Sequence, residues 1–415
     1  MNILAILQSL TPKQRNAVVA AYLGWTLDAF DFFILIFVLK DVIREFHSDL
    51  SAVSFTVNLT LAMRPVGALL FGLVADRIGR RPTLMADILF YSAVEFACGF
   101  APSLAVLLVL RALYGVAMGG EWGVGASLTM ETIPAPARGI VSGILQAGYP
   151  SGYLLASLVN WTLYEHIGWR GMFMIGALPA LLVLYVRRQV EESPIWLERE
   201  HEHEHEGGAF RWNLIARQWK LFLYVIVLMT AFNFFSHGTQ DLYPLFLQRQ
   251  HNLNPATVSM IAVIYNVGAI LGGLTGGSLS EGIGRKRAII SAALLVLPAI
   301  PLWAFARSPA GLAAGAFIVQ FLVQSAWGVV PVHLNELSPR DVRGTFPGFT
   351  YQLGNLFASG NLYLQSLIVE RSGGNFGLAL ASVAAIVAVS LSIVTFFGPE
   401  ARGIAFGRAN RPVRA

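Results

Sequence analysis

Cysteine is nearly absent. Cys98 is the only one in 415 residues, so an internal disulfide is excluded and a structural zinc site cannot be built on thiolates. Charge is scarce as well: 13% of residues are charged against 55% hydrophobic, which excludes an ordinary soluble globule. Strand-type alternation is missing, and with it the case for a β-barrel. The formal net charge of +5 is scattered between apolar stretches instead of gathered on one module, so nucleic acid is not an expected partner. The first ten residues carry no charged side chain, and the apolar run beyond Arg15 is longer than a leader core, so no cleaved targeting segment is expected.

What the chain has in abundance is apolar runs of roughly 18 to 25 residues, each long enough to cross ~30 Å of hydrocarbon as a helix. They predict an all-α membrane protein with spans near 17–39, 53–75, 82–101, 105–128, 138–162, 168–187, 220–247, 257–280, 286–305, 309–332, 343–368 and 374–397. Lys13, Arg15, Arg77, Arg80, Arg81, Arg138, Arg187, Arg188, Arg285, Lys286, Arg287, Arg340, Arg343 and the basic tail fall on one side. Only Lys40, Arg44, Arg170, Arg249, Arg307 and Arg371 fall on the other, so the positive-inside rule predicts both termini in the cytoplasm. The expected organisation is a bundle over 1–187, a cytoplasmic linker over 188–219, and a second bundle with its tail over 220–415. The linker holds a His/Glu run, 201–206. Such alternation is compatible with a divalent metal, but a solvated, flexible loop is the simpler reading.

The second half repeats the first at a constant offset of 205 residues. Gly72, Asp76, Gly79 and Arg80 recur as Gly277, Glu281, Gly284 and Arg285; Glu131, Pro134, Arg138 and Gly139 recur as Glu336, Pro339, Arg343 and Gly344; Trp122-Gly123 recurs as Trp327-Gly328. An offset that covers six spans relates two halves of like topology about an axis along the membrane normal. Asp76, Arg80, Glu131, Arg138, Glu281, Glu336 and Arg343 are candidates for a conformational latch, because a carboxylate is favourable at a helix N-terminus. Their alternative role is to set topology by charge alone.

An ionisable group within a span is costly unless it is paired or faces water, so each is a candidate for function. Asp28 and Asp31 share one face of the first span, where two close carboxyls suit proton carriage. Arg64, deep in the second span, presents a planar fork that matches a carboxylate. A static ion pair between the first two spans is the alternative. Arg111 reads as structural, Glu121 as a proton carrier or a packing residue among small neighbours, and Asp87 and Glu95 as peripheral. In the seventh span Asn233, Ser236, His237, Gln240 and Asp241 fall at helical spacing and form a polar stripe that must face a cavity. Gln352, Asn355 and Ser359 in the eleventh span repeat that spacing and are expected to line the same cavity or to bond neighbouring helices.

These motifs resemble the major facilitator superfamily. Its loop between the second and third helices is matched by Gly72-Leu-Val-Ala-Asp76-Arg77-Ile-Gly79-Arg80-Arg81, and its fourth-helix pattern by Arg111-x3-Gly115. Glu192-Ser193-Pro194 and Pro399-Glu400-Ala401-Arg402-Gly403 look like signatures of sugar-porter relatives. The segment from Asn233 to Asp241, with Gln352-x2-Asn355, resembles fungal lactate and pyruvate permeases of the sialate:proton symporter branch, although Leu245 replaces a threonine of that pattern. The resemblance implies symport of a short monocarboxylate with a proton by alternating access, with no enzyme activity, no metal and no cofactor beyond the proton. It places substrate on Arg64, Asn233, His237, Gln240, Asp241, Gln352 and Asn355; from the residues themselves, Asp28, Asp31, Asp241 and Glu121 are the candidates for proton coupling. Sialic acid or another organic acid is the alternative cargo, and a non-transporting receptor the alternative of another class. A monomer in a bacterial inner membrane is expected.

Overall fold

The computed structural model describes residues 3–203 and 217–406. Twelve spans emerge: α1 Pro12–Glu45, α2 Leu50–Ile78, α3 Arg80–Cys98, α4 Leu104–Thr132, α5 over 138–167, α6 over 169–189, α7 Trp219–Gln240 with Tyr243–Arg249, α8 Pro255–Ile283, α9 Arg285–Phe305, α10 Pro309–Trp327 with Val330–Leu337, α11 Phe346–Ala358 with Asn361–Arg371, and α12 Phe376–Phe397. Seven helices among the described residues are long and apolar enough to cross a membrane unaided, and the bent pair over 135–189 makes an eighth. The remaining spans carry buried charges or a helix break.

Where the spans start is a matter of local chemistry. Thr11, Asp49, Ser103, Asn254, Ser308 and Asn375 each accept a backbone N–H with a side-chain oxygen at a helix start, and Pro12, Pro255 and Pro309 sit just inside, where a missing N–H costs nothing. On the face that carries the chain termini, α3 and α9 begin differently. Gly79 and Gly284 turn the chain at φ 109° and 98°, a region only glycine enters freely, and no side chain of their own caps the helix. Glu192 instead accepts from the amides of Arg80 (2.9 Å) and Arg81 (3.0 Å), and Glu400 from those of Arg285 (3.1 Å) and Lys286 (3.0 Å). Burial pushes the Glu192 carboxyl up against these amides; at half-buried Glu400 burial acts the same way but the amides and His333 prevail and hold it below the usual range.

Several spans differ from expectation. α1 reaches Glu45, α5 and α6 are divided at Gly168 (φ 62°, ψ −177°), α6 bends over 176–179, and α7, α10 and α11 are each broken near Asp241, Gly328 and Gly360. Pro244 and Pro331 restart two of them. The linker is more ordered than a flexible loop: Pro194–His203 is a helix, with Trp196 and Arg199 buried, and His201 to His203 form its last turn. Glu204 to Glu206 of the His/Glu run lie outside the described residues.

Within the first bundle α2 packs on α4 and α1 on α5; in the second α8 packs on α10 and α7 on α11. Small residues make these approaches close: a Cβ at Gly67 would collide with the Val116 carbonyl, and one at Gly272, its repeat partner, with the carbonyl of Phe321, the repeat partner of Val116. Gly67→Leu is therefore expected to destabilise by at least about 1–3 kcal/mol. Thermal unfolding in detergent checks this, with Gly282→Ala, where nothing lies within 4 Å of the added carbon, as the silent control.

Candidate functional site

Arg64 lies fourteen residues inside the end of α2, about 21 Å from it at 1.5 Å per residue, which is mid-membrane depth. It is buried, its Nε and Nη2 have no protein partner, and its guanidinium carbon sits 5.9 Å from the centre of the Tyr351 ring of α11. Its charge is felt by Asp28 on α1, Tyr149 on α5, and His237 on α7, so one cation addresses both bundles. Tyr351 is held between Trp122 (4.7 Å) and Trp327 (5.6 Å), the two tryptophans related by the repeat, and Trp25 lies 5.5 Å from Tyr149. These rings wall a chamber around the guanidinium.

On the opposite wall His237 is held at both nitrogens. Nδ1 lies 3.1 Å from an Asp241 oxygen and Nε2 lies 3.0 Å from Asn355 Oδ1. A protonated ring donates to both; a neutral one keeps its proton toward the carboxylate and accepts from the Asn355 amide once that amide rotates. Gln240 donates to Gln320 of α10 at 2.8 Å, and Gln320 donates to Thr239 at 3.1 Å. The His237 and Asp241 side chains are about one-third exposed, 32% and 35%, whereas Arg64 is buried. Gln352 is buried beside Tyr351 with neither amide atom partnered. Two expected stripe members do not serve it: Asn233 donates to the Met229 carbonyl of its own helix at 2.8 Å, and Ser359 is exposed at the break in α11, bonded to the Leu356 carbonyl. Gln320 is an addition that the sequence signalled only as one of two amides, with Gln324, in an apolar span.

Behind this chamber, inside the first bundle, Asp28, Asp31, Asp87, Glu95 and Glu121 are all fully buried. Tyr114 donates its hydroxyl to the Asp28 carbonyl at 2.9 Å and faces the Asp28 carboxyl at 3.3 Å. The expectation that Asp87 and Glu95 are peripheral is overturned. Glu95 forms an ion pair with Arg111, which also lies 3.0 Å from Cys98 Sγ, and Asp87 is sealed with no partner for either oxygen. Asp87, Tyr91 and Glu95 stand at i, i+4 and i+8, one face of α3; that spacing was the available signal.

The terminal face is closed by two repeat-related clasps. Asp76 accepts from the amides of Gly344 (2.8 Å) and Thr345 (3.0 Å) and the Thr345 hydroxyl (2.7 Å) at the start of α11; Glu281 accepts from the Gly139 amide (2.7 Å) at the start of α5. Arg80 holds Glu131 through Nε and Nη2 at 3.1 and 3.2 Å, as Arg285 holds Glu336 at 2.9 and 3.1 Å. Each of these carboxylates also meets an arginine of the other bundle: Arg343 lies 3.6 Å from Glu131, and Arg138 lies 3.9 Å from Glu336. All seven predicted latch residues thus meet in one layer. Arg199 of the linker helix joins them, 3.7 Å from Asp76 and donating to the Asp341 carbonyl at 2.8 Å. Along the same seam Gly123 abuts Gly348, and Gly143 abuts Gly273.

A cleft of about 770 Å³ between α7, α11 and α12 is apolar, lined by Thr230, Phe234, Phe357 and Ile386, and holds none of the chamber groups.

Residues 21–239 match the Major Facilitator Superfamily, and residues 221–402 match the family described as Sugar (and other) transporter. Among curated proteins, the chain is similar to a carboxylic acid transporter protein homolog of Saccharomyces cerevisiae, at 26% identity over 94% of this chain and 68% of that protein. It is also similar to the sialic acid transporter NanX of Escherichia coli, at 28% identity over 95% of this chain and 96% of that one. Its fold is that of the proton:xylose symporter XylE, with a TM-score of 0.74 at 18% identity over 94% of this chain and 97% of that structure.

Proposed function

Because the chain belongs to the Major Facilitator Superfamily, whose members are multi-pass membrane transporters and not enzymes, we propose that it carries a short monocarboxylate such as lactate or pyruvate together with a proton. The observation that supports this reading best is Arg64, a lone guanidinium at mid-membrane depth with two unpartnered nitrogens, set in an aromatic chamber between the bundles. A guanidinium fork binds a carboxylate through two parallel hydrogen bonds, and aromatic walls accept a small apolar remainder. His237, Gln240, Gln352 and Asn355 supply polar contacts from the second bundle.

Coupling follows from charge balance. Asp28 and the incoming anion compete for the one cation, and a carboxylate left uncompensated in hydrocarbon is strongly unfavourable. Loading of the anion therefore goes with protonation of Asp28, and release of the anion with its deprotonation. Asp31, Glu121 and Asp241 are further acceptors within the same system. The bundles over 1–187 and 220–415, tied by 188–219, rock about the chamber, and the clasps of Asp76 and Glu281 hold shut the terminal face, which we place in the cytoplasm by its arginines.

Uptake of labelled lactate into reconstituted vesicles tests the reading: an inward proton gradient should raise accumulation up to about tenfold for each pH unit, the thermodynamic limit of one coupled proton. Uptake indifferent to the gradient would remove proton coupling. A second cargo, sialic acid or another hydroxylated organic acid, is supported by the likeness to NanX and by the amides of Gln240, Gln320 and Asn355. Competition by lactate, pyruvate, acetate, sialic acid and benzoate against one labelled acid decides between them.

A further inference from the structure

Two guanidiniums, Arg64 and Arg111, stand against the five buried carboxyls of α1, α3 and α4. Charge cannot balance unless the surplus carboxyls hold protons. Their heights follow from helix register. Asp87 is seven residues from the start of α3 and Glu121 eleven from the end of α4, placing them about 11 and 17 Å from the terminal face; Glu95 is fifteen residues along α3, at about 23 Å. Asp28 links these levels in its electrostatic contacts: Asp87 feels Glu121 and Asp28, Glu121 feels Asp28, and Asp31 feels Asp28 and Glu95.

Two further observations point the same way. Tyr91 stands between Asp87 and Glu95 on α3, fully buried, with an unpartnered hydroxyl that feels Asp28, Asp31, Asp87 and Glu121. A cavity of about 10 Å³ abuts Glu121, walled by Trp25, Trp122 and Leu145, and is of the order of one water.

We propose that Asp87, Glu121, Asp28, Asp31 and Glu95, bridged by Tyr91, form a proton relay that crosses the first bundle beside the substrate chamber, with Asp28 as the branch point facing Arg64. In each hop the O–H bond of one carboxylic acid breaks as an O–H forms on the next carboxylate, directly or through the Tyr91 hydroxyl, so one proton moves and nothing else changes. The groups that face the relay are Arg64 from α2, Cys98 from α3, Arg111 and Tyr114 from α4, Tyr149 from α5 and Tyr351 from α11. Arg111 bounds its far end. The proposal rests on the proton-coupled reading above and assigns that proton a route.

Asp87→Asn in vesicles separates the two. Counterflow of labelled lactate, which needs no net proton movement, should stay within about twofold of wild type, while gradient-driven accumulation falls at least about tenfold. Asp87→Glu should restore accumulation, and Tyr91→Phe should slow it. Full gradient-driven accumulation by a folded Asp87→Asn protein overturns the relay. So does equal loss of both activities without rescue by glutamate, which marks a packing role. Should Asp87→Asn not fold, an unchanged gradient-driven rate in Tyr91→Phe overturns it instead. A wild type that ignores the gradient sinks the proton-coupled reading itself and is seen before any variant is made.

Discussion

Arg64→Ala should lose saturable uptake of its carboxylate almost completely while the protein remains folded. Truncating one member of a buried, hydrogen-bonded charge pair costs about 2–5 kcal/mol, and at 1.4 kcal/mol per decade this weakens binding by about thirtyfold to several thousandfold. Folding should survive because the guanidinium makes few protein contacts: Nε and Nη2 have none, and its main neighbour, Tyr351, is held independently by Trp122 and Trp327. Arg64→Lys keeps the charge but not the fork, so it should bind with intermediate affinity. Isothermal titration with lactate and a thermal melt on the same sample separate loss of site from loss of fold. Wild-type affinity in Arg64→Ala would move the anchor elsewhere, with His237 the next candidate.

The double variant Asp76→Ala with Glu281→Ala should release the terminal face. Together these two side chains take four hydrogen bonds across the seam, three of them to the start of α11 and one to the start of α5. Bonds to a charged group contribute about 1.5–3 kcal/mol each and are not additive, yet even 2 kcal/mol shifts a two-state population about thirtyfold. Spin labels at Arg77 and Gly282, exposed positions one repeat apart, report the change. Cys98 is buried and does not compete for label. Wild type should give one short distance distribution and the double variant a longer one. An unaltered distribution would assign these carboxylates to the start of each helix alone, with no part in holding the bundles together.

Most of this architecture was legible before any coordinates, because the repeat is written in residues that touch. Asp76 and Glu281, Arg80 and Arg285, Glu131 and Glu336 keep the 205-residue offset and meet in matching clasps. Arg64, Asp28 and His237 stand out in the sequence because a charge in an apolar span demands a reason, and all three lie in the interior of the bundles or between them. The stripe on α7 was read too generously: period counts positions, but the Asn233 amide turns back on its own helix, a choice that spacing does not record. Ser359 fell outside because α11 breaks at Gly360. Asp87 and Glu95 were undervalued since lipid and bundle interior are equally apolar, so hydropathy does not reveal which face of α3 points inward. The capping roles of Glu192 and Glu400, over a hundred residues from the amides they serve, have no local trace at all.

The two halves share one backbone plan but not one endowment. One repeat after Arg64, Asp87, Glu95, Arg111 and Glu121 stand Ala269, Ala292, Ile300, Ala316 and Ala326. These five positions are thus ionisable in the first half alone. In the proposed mechanism, changes in α7, α10 and α11 retune cargo choice around a fixed Arg64, and a lesion confined to the carboxyls of the first half would leave a passive facilitator that still knows its ligand.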